Sequence, residues 1–389
     1  MANIEGSSGR QAKPSGSLPT KKALLVSLDR GEKEVPVEEL MEELELLLRN
    51  LNVTVAAKIV QNREHEAPAT YIGTGKVEEL KTLAMEKQAG IIVFDASLSP
   101  VQVKNLKNRT GCAIWDRPWV IMEVFRLHAR SSEAKLQVEM ARCRYEIPHL
   151  KGLGLQMSRT GAGIATRGPG ETEFERHRRK VERRMREIES KLEGIKARRE
   201  NQRKRRSRSG IPLFSLVGYT NAGKSTLFKA LCKDPGIIAR NQLFTTLDTT
   251  VRTFRLPEEG PALLTDTVGF LRNLPPALIA AFRATLEEVL EADVIVWVMD
   301  AQTAESETMT SSVETALKEL GAWEIPRIIG LNKADLLGTE EIAEQERKIR
   351  ALGERVIPIS AKTGQGLPCL MHEMERLLLE KRIYNGKAG

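Results

Sequence analysis

The run GYTNAGKST, residues 218 to 226, fits the pattern G-x-x-x-x-G-K-[ST] from Gly218 to Ser225. The apolar LFSLVG precedes it and the helical-patterned TLFKALC comes after, so a strand leads in and a helix leads out. Gly218 and Gly223 let the backbone curl, and the successive N–H groups of Tyr219, Thr220, Asn221, Ala222 and on to Thr226 turn towards a bound polyphosphate. Lys224 is placed to neutralise the β and γ phosphates, and the Ser225 hydroxyl to ligate Mg²⁺. Further along, ALLTDTVG ends a strand in Asp266, Thr267, Val268 and Gly269. Asp266 would hold Mg²⁺ through a water, and the Gly269 N–H would meet a γ-phosphate, so hydrolysis would release the segment after Gly269. Between these motifs, NQLFTTLDTT brings Phe244, Thr245 and Thr246; one of the two hydroxyls should close over the metal and the γ-phosphate.

Base choice is written later in the chain. NKAD places Asn332, Lys333 and Asp335 after an apolar strand. The Asp335 carboxylate can accept from guanine N1 and N2, a donor pair that adenine lacks, and a site built for those donors rejects the analogue strongly. Asn332 would tie this loop to the phosphate loop and the base N7, and the Lys333 stem would cover the purine face. SAK, Ser360 to Lys362, would present the Ala361 N–H to guanine O6. NKxD alone is a weak signal. Five elements in the correct order point to GTP/GDP and Mg²⁺ as ligands. One position is odd: where many such proteins place a glutamine that orients the attacking water, this chain has Phe270.

These motifs sit at the C-terminal ends of strands, which is where open parallel sheets bind ligands. From Pro212 to about Arg382 the strands LFSLVG, ALLTDTVG, VIVWVMD, RIIGLNKAD and RVIPISAK alternate with helical patterns, as a P-loop α/β domain requires. A smaller parallel α/β domain is expected before it, through KALLVSLD, VTVAAKIVQ, IIVFD and CAIWDR and their intervening helices. With 389 residues, the chain divides into a polar tail (1–21, read as disordered), an N-terminal α/β domain (22–130), a helical hairpin (131–208) and the P-loop domain (209–389). No apolar run reaches the ~20 residues of a membrane span. The four cysteines, Cys112, Cys143, Cys232 and Cys369, form no CxxC, which points to a reducing cytoplasm and no structural zinc. A monomer is the expected state.

The hairpin carries the charge. Residues 176 to 208 hold sixteen Lys/Arg against five Glu, a net of +11 in a chain of +8, so everything else sums to −3. Such a concentrated basic stripe is the footprint of a polyanion partner, against the plainer reading of a solvated helix face. Leu136, Met140, Cys143 and Ile147, then Val181, Met185, Ile188, Leu192 and Ile195, repeat at spacings of three and four, which suits two helices packed antiparallel. Residues 148 to 170, with six glycines and Lys151, Arg159 and Arg167, read as a long loop between them, and NQRKRRSRSG as a linker to the next domain.

The chain resembles the HflX family within the Obg–HflX branch of P-loop GTPases. The resemblance rests on YIGTGKVEEL, DRPWVIMEVFRLHARSSEAKLQVEMARCRYEIPHLKG and RGPGETEFERHRRKVERRM, and covers about residues 22 to 381. It implies a GTPase that binds the large ribosomal subunit and its rRNA through the basic helix and the Gly-rich loop, and that splits stalled ribosomes, notably under heat stress. It also implies Thr246 as the magnesium threonine, giving Ser225, Thr246 and Asp266 around the metal and Lys224, Thr246 and Gly269 at the reacting phosphate. An apolar residue at position 270 is typical of this branch, so either another group of the protein or a docked partner must order the water, and the resemblance suggests the ribosome. The family has been credited with ATP-linked activity near GTGK, where Gly73, Gly75 and Lys76 precede a helix; a weak ATP site fits, and so does Thr74 as a plain helix cap between glycine turns. Many members carry a further domain after SAK, where this chain has only enough for a closing helix. Two other functions stay open on the residues: an RNA-binding factor in large-subunit assembly whose attachment GTP controls, and a switch for a protein effector.

Overall fold

The computed structural model describes residues 21–31, 36–157, 169–232, 250–267, 269–270, 288–303 and 307–387. The polar tail, the tip of the hairpin, Val268 and the segment with Phe244, Thr245 and Thr246 lie outside the described residues. The N-terminal unit runs β1 (Lys21–Asp29), α1 (Val37–Asn50), β2 (Val53–Asn62), α2 (Thr74–Lys87), β3 (Ile91–Phe94), α3 (Pro100–Thr110), β4 (Ala113–Asp116) and α4 (Arg117–His128). Its four strands are parallel in the order β2-β1-β3-β4. Alternation along β1 splits the core in two. Leu25 faces a cluster with Leu44, Leu47, Val120 and Phe125 from α1 and α4, while Leu24, Val26 and Leu28 face Val77, Leu80 and Leu106 from α2 and α3.

Two long helices come next, α5 (Ser132–Met157) and α6 (Pro169–Ser209). Met140 and Cys143 on α5 and Val181 and Ile188 on α6 are buried, as the heptad-like spacing anticipates. In the ion pairs Glu133–Arg199, Glu139–Arg184 and Glu146–His177, the α5 number rises as the α6 number drops, so the helices run antiparallel. Ala134, Val138 and Ala141 on another face of α5 join the core of the N-terminal sheet. Asp116 anchors the same helix. It accepts from the N–H groups of Leu98 and Trp119 and from the Tyr145 hydroxyl at 3.0–3.1 Å, and its burial raises its pKa.

Two expectations need correction here. Pro148 does not end α5; it stands on an exposed side of the helix, which continues to Met157. There the carbonyl that loses its partner can turn to water, so the helix tolerates the ring. The Gly-rich connection is therefore shorter than residues 148 to 170. Likewise the basic run before Gly210 is helical, not a linker: no proline or glycine interrupts it between Lys196 and Ser209.

The third unit contains β5 (Leu213–Val217), α7 (Lys224–Cys232), β6 (Thr250–Leu256), β7 (Gly260–Asp266), β8 (Val294–Asp300), α8 (Glu307–Leu320), β9 (Arg327–Asn332), α9 (Thr339–Ala351), β10 (Val356–Pro358) and α10 (Leu367–Lys387). The sheet order is β10-β9-β8-β5-β7-β6, parallel except for β6 against β7. Phe214, Leu216 and Val296 pack towards α7 and α10, and Val217, Ile295 and Trp297 towards α8 and α9. With both faces covered, the loops after β5, β7, β9 and β10 gather at one end of the sheet.

Candidate guanine-nucleotide site

The phosphate loop springs from β5 and folds tightly over its neighbours. Gly218 has φ +144°, and a Cβ there would sit 2.2 Å from the Val298 carbonyl oxygen of β8. Gly223 has φ +94°, and a Cβ there would collide with Asn332 Nδ2 at 2.1 Å. Both positions demand glycine because another element passes where a side chain would begin. Lys224 opens α7, buried, and its ammonium donates to the carbonyls of Gly218 (3.0 Å) and Tyr219 (2.7 Å). Burial brings its pKa down to about 8, while the Asp266 charge pulls the other way. An ammonium held dry at the mouth of a loop of N–H groups is suited to an incoming phosphate, which would restore its full charge.

Ser225 Oγ donates to Asp266 Oδ2 at 2.9 Å. This hydroxyl–carboxylate pair of hard oxygen donors fits Mg²⁺. Thr267 donates to the Leu216 carbonyl (2.6 Å), fixing the end of β7 on β5. Beyond it, Gly269 and Phe270 lie against the phosphate loop: Phe270 N–H donates to Gly218 O (3.1 Å), and its carbonyl accepts from Thr220 N–H (2.9 Å). The Phe270 ring is buried in the cluster of Val217, Val289 and Trp297. Its position is therefore structural as well as chemical, and no polar group of its side chain reaches the phosphate end.

The base-side loops are joined by one amide. Asn332, 2% exposed, donates from Nδ2 to the Ala222 carbonyl (2.8 Å) and accepts at Oδ1 from Ala361 N–H (2.9 Å). A single side chain thus locks the phosphate loop, NKAD and SAK into one body, the tie expected of an asparagine at this place in the motif. The Ala361 N–H is already engaged, so reading guanine O6 through it requires sharing that bond. Lys333 takes a left-handed backbone (φ 65°, ψ 28°), and its ammonium pairs with Asp300 Oδ2 at 2.6 Å. Asp335 and Lys362 are exposed at the rim, and Ser360 Oγ accepts from Thr363 N–H at 3.1 Å, holding the SAK turn. Asp300 belongs to no motif and sequence alone does not single it out. A signal for it exists: the strand VIVWVMD ends on an acid that pairs in register with Asn332.

The GTGK segment behaves differently. Gly73 N–H donates to the Gln61 side-chain oxygen (3.0 Å), α2 begins at Thr74, and the Lys76 ammonium is held by Glu79 at 2.9 Å. Gly73, not the expected Thr74, is the N-cap of α2, and no side chain caps the helix there.

Comparison with known proteins covers nearly the whole chain. Residues 38–126 match the family described as GTP-binding GTPase N-terminal, 128–206 the GTP-binding GTPase Middle Region, and 214–333 the 50S ribosome-binding GTPase. The chain is 39% identical over 363 residues to the GTPase HflX of Lacrimispora saccharolytica, covering 93% of this chain and 84% of that protein. The chain belongs to the HflX family of GTPases. To the Escherichia coli HflX GTPase it is 37% identical over 359 residues, covering 90% and 84% of the two chains. Among solved structures, the GDP complex of SsGBP is similar, with 26% identity, a TM-score of 0.52 and coverage of 92% and 99%. A GTP-binding protein from Sulfolobus solfataricus in complex with GDP shares the fold, with 24% identity, a TM-score of 0.50 and the same coverage. As an HflX-family member the chain hydrolyses GTP to GDP and phosphate. Among the described residues no helix is long and apolar enough to cross a membrane.

Proposed function

We propose that this HflX-family GTPase binds the large ribosomal subunit in the cytoplasm, through rRNA contacts of α6 and the hairpin tip, and dissociates or rescues stalled ribosomes. The observation that carries this reading is the surface of α6. Arg176, Lys180, Arg183, Arg186 and Arg198 are exposed and make no ion pair among the described residues. Other cations of the helix are consumed by the hairpin itself, as Arg184 is by Glu139. What remains is a row about 33 Å long of outward charge, at 1.5 Å per residue. A protein effector requires no such row; a phosphate backbone does. The match to a family described as 50S ribosome-binding GTPase supports the same partner.

In this reading Lys224, Gly269 and Thr246 surround the γ-phosphate, and the loop from Gly218 to Thr226 cradles the polyphosphate. Ser225, Asp266 and Thr246 would hold Mg²⁺, which would offset the charge that develops on the phosphate in the transition state. Phe270 cannot hold a water by hydrogen bonding, so the site is ordered fully on docking, and hydrolysis is slow until then. The test is steady-state GTP hydrolysis with and without purified 50S particles. Acceleration by two or more orders of magnitude is expected, as docked activators give other GTPases; a rate indifferent to 50S would overturn the proposal.

A further inference from the structure

Asp300 ends β8, and its carboxylate anchors the side chain expected to cover the base. Oδ2 lies 2.6 Å from the Lys333 ammonium, and the two side chains are 14% and 24% exposed. Oδ1 accepts from the Gln302 N–H at 3.1 Å, so both carboxylate oxygens are engaged and the orientation of the group is fixed. The strand order then sets the direction in which the lysine runs. β8 stands between β9, which ends just before Lys333, and β5, which leads into the phosphate loop. Asp300 is the in-register partner of Asn332, one residue before Lys333. With its ammonium on Asp300, the Lys333 stem leans from β9 across the end of β8, towards the phosphate loop. Asn332 makes the same crossing through its bond to the Ala222 carbonyl. A nucleotide with its phosphates on the loop after β5 and its base on the loops after β9 and β10 spans that same interval. The Lys333 backbone is committed too. Its φ of 65° and ψ of 28° lie in the left-handed region, which costs a residue with a Cβ and persists where surrounding bonds hold it.

We propose that Asp300 is a positioning residue for guanine-nucleotide binding, holding the Lys333 side chain extended so that its methylene stem is in place before the purine arrives. The proposal rests on the reading of NKAD as the base-side motif. A loose lysine side chain loses rotamer freedom when a ligand orders it, and that loss weakens binding. The Asp300 pair moves the loss into folding, so the nucleotide meets a stem that is already ordered. The pair also divides the work between two lysines. The Lys333 ammonium has its own carboxylate and leaves the phosphates to Lys224, while the apolar stem of Lys333 faces the ring. Asp300 itself touches neither the phosphates nor the guanine edge and acts only through the lysine. Its loss should therefore weaken ligands that carry a base and spare those that do not.

The experiment measures the affinities of GDP and of inorganic pyrophosphate, by competition against a fluorescent guanine nucleotide on the full-length protein, with thermal unfolding on the same samples. Asp300→Asn keeps the shape of the side chain and an acceptor for the Gln302 N–H but loses the charge. It is expected to weaken GDP roughly 3- to 10-fold, the scale of ordering one long side chain on binding. Pyrophosphate, which occupies the phosphate loop alone, should keep its affinity. Lys333→Met retains an unbranched stem without the ion pair. In that background Asp300→Asn should have no further effect on GDP, because the two residues act as one unit. Equal losses for GDP and pyrophosphate would overturn the proposal, as would an undiminished effect of Asp300→Asn in the Lys333→Met background. Asp335→Asn tests the base-side reading separately. Unchanged GDP affinity in Asp335→Asn would overturn that reading and the proposal together. Weakened GDP in Asp335→Asn beside wild-type GDP affinity in Asp300→Asn would overturn the proposal alone.

Discussion

Lys224 shows how one residue's environment becomes a measurable property. Burial favours its neutral form, with a pKa of about 8 in place of 10.5. Between those values an unfolded chain binds a proton that the nucleotide-free fold does not, so stability rises with pH across that window. Nucleotide binding runs the other way: phosphates restore the charge, so binding above pH 8 takes up a proton. GDP affinity should therefore be flat below pH 8 and fall as pH climbs beyond it, to about one-tenth at pH 9. Calorimetry in buffers of different ionisation enthalpy reads that proton directly; pH-independent affinity with no uptake would show that Lys224 is already charged in the free protein. At this scale much of the site was legible in advance. Gly218 and Gly223 curl the phosphate loop and Asn332 ties the base-side loop to it, as their motifs imply, because a motif records a backbone path and its donors. The Lys333–Asp300 pair was not legible, since it depends on which distant strand passes alongside.

Among the elements, α6 sets how much of the basic charge is available to a partner. Counting residues gave the net charge but not its partition. Arg184 makes a two-pronged bond to Glu139 and belongs to the hairpin, while Arg176, Lys180, Arg183 and Arg186 face outward. Reversing those four to glutamate should leave GTP hydrolysis without ribosomes unchanged, because the phosphate loop is on another unit. The same change should weaken 50S binding and flatten its dependence on salt, since each lost phosphate contact lowers the slope of log affinity against log salt by about 0.7 to 0.9. Pelleting assays from low to high potassium chloride check this, and an unchanged slope would assign the contact elsewhere. Helix limits were less legible than helix faces. Periodicity marks which side is buried whatever the length, so Val181 and Ile188 were identified correctly. Pro148 reads as a stop in the sequence because the rule concerns the lost hydrogen bond, and only the folded chain shows that the affected side is exposed.

The whole molecule joins three units whose parts are linked in sequence by α5 and α6. Asp116 and Tyr145 fasten the hairpin to the N-terminal sheet, while Asn332 fastens the three nucleotide loops to one another. The result is a GTPase with a basic antiparallel helix pair. A factor that only rides on large-subunit RNA would use the same charge, so binding does not separate the two functions, but particle separation does. The most direct measurement is sucrose-gradient sedimentation of vacant 70S ribosomes mixed with the full-length protein and either GTP or a non-hydrolysable analogue. The 70S peak should convert to 50S and 30S with both nucleotides, with the protein remaining on 50S in the analogue and leaving it in GTP. An intact 70S peak in both conditions, with protein bound to 50S alone, would contradict ribosome dissociation and favour the assembly role.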